Sequence, residues 1–278
     1  MSYVAHLDAD CFYVSAERVR HPCLKGKPCG VIGNQGACVI AKSYEMKARG
    51  VKTGEAIWDA LKKCPEGIYM KRDFRWYEVL SRKMLAMVRA RSEAAEFYSI
   101  DEFFFSTDAD ERKARDIQRA IRNDVGLPVT IGFGRTRTLA KLFSDTAKPF
   151  GVRVVADRAT ERELLGKLAI EEVSGVDRRR GAKLAERGIS TCLDFADADR
   201  RLIRSLLTKT GEDLWWELNG QAVTPIRPDR PAHQFLSRGG SLGGATANPD
   251  VIRGWLSRNA ERLVEELEFH EVKAGTLT

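Results

Sequence analysis

The first 155 residues alternate short apolar runs with amphipathic stretches. An apolar run at 3–7 ends at the acidic residues Asp8 and Asp10, and a strongly strand-like run at 97–106 is interrupted once, by Asp101 and Glu102. The spacing of the apolar positions predicts further elements. The predicted strands are 31–40 (two strands joined by a turn at 33–36), 129–134 and 152–155, and the predicted helices are 43–48, 75–91, 111–124 and 138–147. This order predicts an α+β fold with helices packed on a mixed sheet.

The pattern changes after about residue 162. Short helical segments with little strand character continue to residue 218, and a proline-rich stretch at 225–231 predicts an extended linker. A strand-like segment at 234–242 and an amphipathic helix at 248–268 follow. The chain stops at 274–278, which we expect to lie inside a further strand.

Composition narrows the class of protein. The chain has 278 residues, of which 43% are hydrophobic, so it is long enough for more than one packed domain. The formal net charge is +7 and the pI is near 9.1, which suits a polyanionic partner such as nucleic acid. Charge alone leaves a merely soluble basic protein as an equal alternative.

The cysteines indicate a reducing compartment. The six cysteines and four histidines are scattered and form no CxxC pair, which argues against a zinc site or a disulfide framework. The N-terminus lacks a basic region followed by an apolar stretch, and no apolar run approaches the length of a membrane span. We therefore expect a cytoplasmic protein without a membrane partner.

Three carboxylates interrupt or end apolar runs, where unpaired charge is costly. Asp8 ends one run, and Asp101 and Glu102 lie inside another. Neighbours on a straight strand point to opposite faces, so Asp101 and Glu102 can share a site only if the chain turns there, as at a hairpin tip. Oxygen ligands suit Mg²⁺, and two such ions can clamp a phosphoryl displacement. Solvated loop carboxylates are the alternative.

The sequence contexts of these carboxylates resemble the metal-binding motifs of Y-family DNA polymerases. DADCFY at 8–13 resembles the family's DxDxFY element, and SIDE at 99–102 matches its second element. AKSYEMKARGV at 41–51 resembles the fingers motif. IGFG at 131–134, with TLAK at 138–141 and AKP at 147–149, resembles the late palm motif. GACVIA at 36–41, TLAK, and LDFAD at 193–197 after Gly188 and Ile189 place the chain closest to the catalytic subunit of bacterial polymerase V.

The resemblance covers almost the whole chain and implies a right-hand polymerase. It predicts a mixed-sheet, ferredoxin-like palm at 1–13 and 72–162, and small fingers at 14–71. It also predicts a helical thumb at 163–224, a linker at 225–233 and the start of a little finger at 234–278. A complete little finger would be longer. We therefore expect the chain to be a fragment or a truncated product that lacks any sliding-clamp peptide.

The resemblance implies roles for the acidic residues. Asp8, Asp101 and Glu102 would bind two Mg²⁺ ions, for which Mn²⁺ can substitute, with help from the backbone carbonyl of Ala9. Asp10 matches a position that is less consistently a ligand, and we expect it to be an outer carboxylate. Relatives usually carry a small residue where Phe103 stands, so its ring is predicted to lie beside the metal site.

The nucleotide contacts follow from the same motifs. Tyr13 matches a steric gate, whose rigid ring excludes a 2′-hydroxyl by overlap, although an isolated tyrosine is more typical of a core. Lys47 stands where many relatives have arginine, so its phosphate contact is predicted to be weaker. An isolated lysine is more typical of solvated surface. The predicted contacts to the triphosphate are the backbone amides of Cys11, Phe12 and Tyr13 and the side chains of Tyr44, Lys47 and Lys148.

VSGVDRRR at 173–180 resembles a helix-hairpin-helix, whose hairpin amides grip a phosphate. Asp177 replaces the usual second glycine and brings an anion near the expected phosphate. Five positive and two negative residues between 175 and 189 favour contact with a DNA backbone, and a solvated basic face is the alternative. The predicted DNA-binding residues are Gly175, Arg178, Arg179, Arg180, Lys183, Ser237 and Arg238.

These residues predict templated addition of deoxynucleotides to a primer by a two-metal mechanism. The short fingers favour an open site, low fidelity and lesion bypass during SOS damage tolerance, by analogy with the family. The expected partners are primer-template DNA, dNTP, and possible sliding-clamp and SOS accessory subunits. One alternative is a catalytically weak or inactive scaffold of a mutasome. A nucleotidyl cyclase is a second, but its Gly-Gly-acidic turn is absent from the sequence.

Overall fold

Two mixed sheets and a set of packed helices make up the described part of the chain. The structure is a computed structural model that describes residues 3–33, 38–108, 110–229, 234–240, 242 and 244–278. The strands are β1 (Tyr3–Ala9), β2 (Cys29–Ile32), β3 (Val39–Lys42), β4 (Ile68–Lys71), β5 (Ala95–Phe97), β6 (Glu102–Thr107), β7 (Val129–Gly134) and β8 (Val152–Val154). The helices are α1 (Phe12–Arg20), α2 (Tyr44–Ala48), α3 (Ile57–Lys63), α4 (Phe74–Arg89), α5 (Glu111–Asp124), α6 (Arg137–Ala147), α7 (Arg158–Lys167), α8 (Arg178–Ala185), α9 (Cys192–Asp197), α10 (Arg200–Leu218) and α11 (Pro249–Phe269).

The larger sheet has the strand order β5-β6-β1-β7-β8. β1 is central and antiparallel to both β6 and β7, whereas β7 and β8 are parallel. Because β1 lies in the centre of the sheet, the apolar run at 3–7 is covered on both faces. Leu7 and Phe103 pack into a core with Tyr77 and Met84 of α4 and Ile121 of α5. The predicted α+β fold is confirmed.

On the other face, α6 lies directly on β7. The contact requires glycine, because a Cβ at Gly132 would lie 2.2 Å from the backbone nitrogen of Ser144. At Gly134 a Cβ would lie 2.7 Å from the nitrogen of Ala140. This close approach brings the α6 side chains to the end of the sheet at which β1 finishes.

The smaller sheet has the order β3-β2-β4, with β2 antiparallel to β3 and parallel to β4. The two predicted strands at 31–40 are thereby confirmed, while residues 34–36 of their turn lie outside the described residues. The predicted helix at 43–48 is confirmed as α2, which Ser43 caps by accepting a hydrogen bond from the Met46 amide. β4, α1 and α3 were not predicted.

Residues 158–218 form a separate helical cluster. Its core is built from Leu165, Leu184, Phe195 and Ile203, and it extends to Leu139 and Phe143 of α6. The helix α6 therefore packs against both the larger sheet and the helical cluster. Within the described residues, no helix is both long and apolar enough to cross a membrane.

The proline-rich segment is anchored to the larger sheet as far as the structure describes it. The guanidinium of Arg137 donates to the Pro225 carbonyl and pairs with Glu96. Glu96 also accepts a 2.8 Å hydrogen bond from the Arg227 amide, and Arg89 donates to the Pro228 carbonyl at 3.2 Å. Residues 230–233 of the predicted linker lie outside the described residues.

The predicted strand at 234–242 is wrong for the residues that the structure describes there, 234–240 and 242. Residues 274–278 form no strand either. A strand needs a neighbour to pair its backbone groups, and no described segment supplies one. Ser237 is exposed in this irregular stretch, and Arg238 instead pairs with Glu266 of α11. The predicted helix at 248–268 is confirmed as α11, but none of its residues is buried.

Candidate active site

The three predicted carboxylates meet at one end of the larger sheet. Asp8 lies opposite Glu102 in the register of β1 and β6. The chain turns at residues 98–101, where the amides of Tyr98 and Ser99 both donate to the Glu102 carbonyl at 3.1 Å. The Ala9 amide donates to the Asp101 carbonyl at 3.0 Å. The turn that Asp101 and Glu102 would need in order to share a site is present, and it places both residues beside Asp8.

Two lysines neutralise part of this charge. The Nζ atom of Lys148 lies 2.7 Å from Asp8 Oδ2 and 2.8 Å from Asp145 Oδ1. Lys141 of α6 pairs with Glu102, while Asp101 Oδ1 accepts a 2.7 Å hydrogen bond from Ser99. Lys141 belongs to the TLAK motif, but the motif does not reveal its contact with Glu102. That contact depends on how closely α6 approaches β7.

Burial makes the Asp8 and Asp101 carboxylates hard to ionise. It raises the pKa of Asp8, which the nearby Lys148 partly offsets and the charges of Glu102 and Asp101 reinforce. It also raises the pKa of Asp101, and again Glu102 adds to the effect. Crowded carboxylates in a buried place are stabilised by a cation. The all-oxygen donor set therefore suits Mg²⁺ or Mn²⁺.

The three carboxylates are neighbours, but as placed they do not form a metal-binding cluster. No group of three His, Cys, Asp or Glu side chains in the described ranges lies close enough to hold a metal ion. Lys148 is paired with Asp8, and Lys141 is paired with Glu102. The donor chemistry thus fits a divalent cation, and side-chain rotation at the hairpin tip is what would complete the ligand set.

Asp10 ties three parts of the chain together. Its carboxylate is buried and accepts hydrogen bonds from Thr130 Oγ1 at 3.0 Å and the Phe150 amide at 2.8 Å. The hydroxyl of Tyr44 donates to it at 3.2 Å. Burial raises the pKa of Asp10, while these donors lower it. Asp10 thereby joins the end of β1 to β7 and to α2.

Tyr13 forms a rigid aromatic wall beside the carboxylates. Its ring stacks on the buried ring of Tyr77, with centroids 4.7 Å apart and planes 17° apart. Phe74 meets it edge-on at 5.6 Å, and Phe12 lies 5.7 Å away. The Tyr77 hydroxyl is fixed by a 2.8 Å hydrogen bond to Glu17. Tyr13 is only partly buried, so one side of the ring remains accessible.

The start of α1 faces the same region. Cys11 adopts a left-handed conformation with φ 48°, and the helix begins at Phe12. The first hydrogen bond of the helix runs from the Ser15 amide to the Cys11 carbonyl at 2.9 Å. Amides in a first helical turn have no acceptor within the helix, so they can receive an anion. This geometry suits the predicted phosphate-binding turn.

The two predicted triphosphate contacts of α2 differ in their surroundings. Tyr44 reaches the site through Asp10, whereas Lys47 is exposed on the same helix. Lys42, at the end of β3, was not among the predicted site residues. Burial and the charge of Lys47 lower the pKa of Lys42. Lys42 donates to Thr53 Oγ1 at 2.7 Å. Lys42 and Lys47 are close enough to influence each other because the chain turns from β3 into α2 between them. Spacing in the sequence does not show this turn.

The hairpin at 173–177 borders an open cleft of about 500 Å³ that Lys141 and Asp145 line from the other side. Gly175 has φ 97°, and its carbonyl accepts from Arg180. The Asp177 carboxylate caps α8 by accepting from the Arg180 amide at 2.9 Å, so a helix cap accounts for this departure from the motif. The charged side chains of α8 that are exposed are those of Arg178, Arg179 and Lys183.

The prediction that Phe103 lies beside the metal site is wrong. The ring is fully buried and packs against Phe97 at 5.8 Å in the core. Successive strand residues point to opposite faces, so Phe103 turns away from the side on which Glu102 meets Lys141.

Comparisons with known proteins agree with this fold. The impB/mucB/samB family matches residues 7–145. DNA polymerase IV of Bacillus velezensis is 33% identical over 99% of this chain and 68% of its own length, and DNA polymerase IV 1 of Bacillus subtilis has the same identity and shares. A Y-family DNA polymerase chimera of Dbh and Dpo4 superposes with TM-score 0.80 at 25% identity, over 95% of this chain and 80% of that one. DinB from Sulfolobus solfataricus superposes with TM-score 0.71 at 26% identity, over 82% of this chain and 70% of that one.

The mixed sheet, its carboxylate hairpin and these matches define the class as that of DNA polymerases. The chain belongs to the impB/mucB/samB family, within the Y-family of DNA polymerases. The comparisons do not support the predicted closeness to polymerase V, since similar relatives such as those of the two Bacillus species are named DNA polymerase IV.

Proposed function

We propose that this chain extends a primer on a DNA template by adding deoxynucleotides to the 3′ end. The observation that carries the proposal is the meeting of Asp8, Asp101 and Glu102 at the end of a buried strand. In this proposal the three side chains and the Ala9 carbonyl hold two Mg²⁺ ions. When bound, such ions activate the attacking hydroxyl and stabilise the leaving pyrophosphate.

The chain's own residues would bind and orient the nucleotide. The amides of Cys11, Phe12 and Tyr13 receive a phosphate at the start of α1. Lys148 exchanges Asp8 for a phosphate oxygen, and Tyr44 and Lys47 approach from α2. Their donors and positive charge offset the charge that develops on the leaving group. The support is the 2.7 Å contact of Lys148 with Asp8 and the link from Tyr44 to Asp10.

Tyr13 would select the sugar. The ring cannot retreat, because it stacks on Tyr77 and is braced by Phe74. A 2′-hydroxyl placed against such a ring meets a fixed surface. This supports the proposal that Tyr13 excludes ribonucleotides.

The remaining parts would hold DNA. We assign the palm to 1–13 and 72–162, the fingers to 14–71, the thumb to 163–224 and a little-finger start to 234–278. The Gly175 turn and the exposed cations of α8 favour contact of the thumb with a DNA backbone. The finer roles proposed on family resemblance are lesion bypass at low fidelity, SOS damage tolerance, and partnership with a sliding clamp and accessory subunits.

Primer extension tests the proposal. A labelled primer-template is incubated with dNTPs and Mg²⁺, and Asp101→Ala is compared with Asp108→Ala, which removes an exposed carboxylate one residue beyond β6. We expect extension by the parent and the control, and a loss of at least about 100-fold in Asp101→Ala. Tight binding of the primer-template without extension by the parent would favour the inactive scaffold instead.

A further inference from the structure

Arg72 lies next to the aromatic wall that Tyr13 forms. It stands between β4 and α4, with its guanidinium carbon 4.7 Å from the centroid of the Phe74 ring. Phe74 in turn meets Tyr13 edge-on at 5.6 Å. The guanidinium is thus held on a ring that itself braces Tyr13, which restricts where its donors can point.

The guanidinium of Arg72 has no carboxylate partner within the described residues, although acidic residues lie close in sequence and space. Asp73 and Glu17 both pair with Arg20 instead, each at 2.8 Å. Arg72 is also partly buried. A partly buried cation without an anion keeps five N–H donors available to a ligand.

Electrostatics place Arg72 in the same neighbourhood as the carboxylates. Burial raises the pKa of Tyr13, and the charge of Asp101 raises it further, whereas Arg72 lowers it. The charges of Arg72 and Asp101 thus both act on Tyr13, in agreement with the ring contacts that link Arg72 to Tyr13 through Phe74.

We propose that Arg72 is a specificity residue that donates hydrogen bonds to the minor-groove edge of the base pair being formed. This rests on the proposed function, because it takes Tyr13 to lie against the sugar of the incoming nucleotide. Sugars border the minor groove, so a donor beside that ring faces the base edge there. Every Watson–Crick pair offers acceptors on this edge, such as N3 of adenine and O2 of thymine.

The contact would favour correct pairs without distinguishing among them. The acceptors occupy nearly the same places in all correct pairs and are displaced in mispairs. Removing Arg72 should therefore slow correct insertion more than incorrect insertion, and so lower fidelity.

Single-nucleotide insertion tests the proposal with dATP and with 3-deaza-dATP, which lacks the N3 acceptor. The variants are Arg72→Ala, Arg72→Lys and, as a matched control, Arg75→Ala. Arg72→Lys keeps the positive charge but loses the planar set of guanidinium donors. Arg75 is an exposed arginine three residues further along. Thermal unfolding of each variant confirms folding.

The parent and Arg75→Ala should lose about tenfold in kcat/KM when dATP is replaced by 3-deaza-dATP. Arg72→Ala should be about tenfold slower than the parent with dATP and should lose little more with the analogue. The kcat/KM of Arg72→Lys with dATP should be closer to that of Arg72→Ala than to that of the parent.

An equal penalty from the analogue in the parent and in Arg72→Ala would overturn the base-edge contact. So would an Arg72→Ala enzyme that matches Arg75→Ala with dATP. Failure of the proposed function would look different, because the parent would then insert neither nucleotide.

Discussion

At the residue scale, Tyr13 is fixed by its neighbours. It stacks on Tyr77, and Tyr77 is itself held by Glu17. We expect Tyr13→Ala to raise ribonucleotide insertion relative to deoxynucleotide insertion by about 100-fold. Kinetics with matched rNTP and dNTP measure the ratio, and Trp58→Ala, an exposed aromatic of α3, serves as control. An unchanged ratio in Tyr13→Ala would show that another group excludes the 2′-hydroxyl.

Single residues also show what the sequence allows one to predict. The interruption of a long apolar run by Asp101 and Glu102 singled these residues out, but a turn there was only the condition for their sharing a site. The pairing of Lys141 with Glu102 was not predictable from spacing, because the two residues are brought together by helix-on-sheet packing. The expectation for Phe103 failed because it took closeness in sequence for closeness in space, against the alternation of a strand.

At the element scale, the packing of α6 on β7 positions Lys141. A Cβ at Gly132 would overlap backbone atoms of α6, and backbone cannot move aside cheaply. We expect Gly132→Ala to destabilise the protein by about 2 kcal/mol or more. Gly254→Ala is the matched control, since nothing lies within 4 Å of its Cβ and alanine should favour α11 by about 1 kcal/mol. Urea unfolding measures both, and equal stabilities would contradict the close contact.

Elements with their own pattern and partners were predictable, whereas those that depend on neighbours were not. β1, α4 and α5 carry strong periodicity and pack into one core. Residues 234–242 have strand-like composition, but the described residues there lack a pairing strand. β4 was missed because its four residues carry little pattern, and its parallel pairing with β2 supplies the stabilisation.

At the scale of the whole molecule, α6 and the helical cluster border one cleft, which Lys141 and the 173–177 hairpin line. If the exposed cations of α8, beside this cleft, grip a DNA backbone, Arg179→Ala should weaken binding equally for all sequences. The slope of log affinity against log salt should fall in magnitude by about 1. Fluorescence anisotropy measures it, and Arg112→Ala, an exposed arginine of α5, should leave the slope unchanged.

An unchanged slope in Arg179→Ala would place the DNA elsewhere. The basic net charge of +7 predicts a polyanionic partner without locating it. A location can be proposed only from the fold, because packing brings residues of α6, the 173–177 hairpin and α8 to the border of one cleft.

The central claim is that the carboxylates at the end of β1 support metal-dependent nucleotide addition. The most direct measurement is the rate of single-nucleotide insertion as Mg²⁺ is titrated into chelator-treated protein, for the parent and for Asp8→Asn. The account predicts no insertion without the metal, saturable activation in the parent, and almost none in Asp8→Asn at any Mg²⁺ concentration. Insertion without metal, or activation of Asp8→Asn like that of the parent, would contradict it.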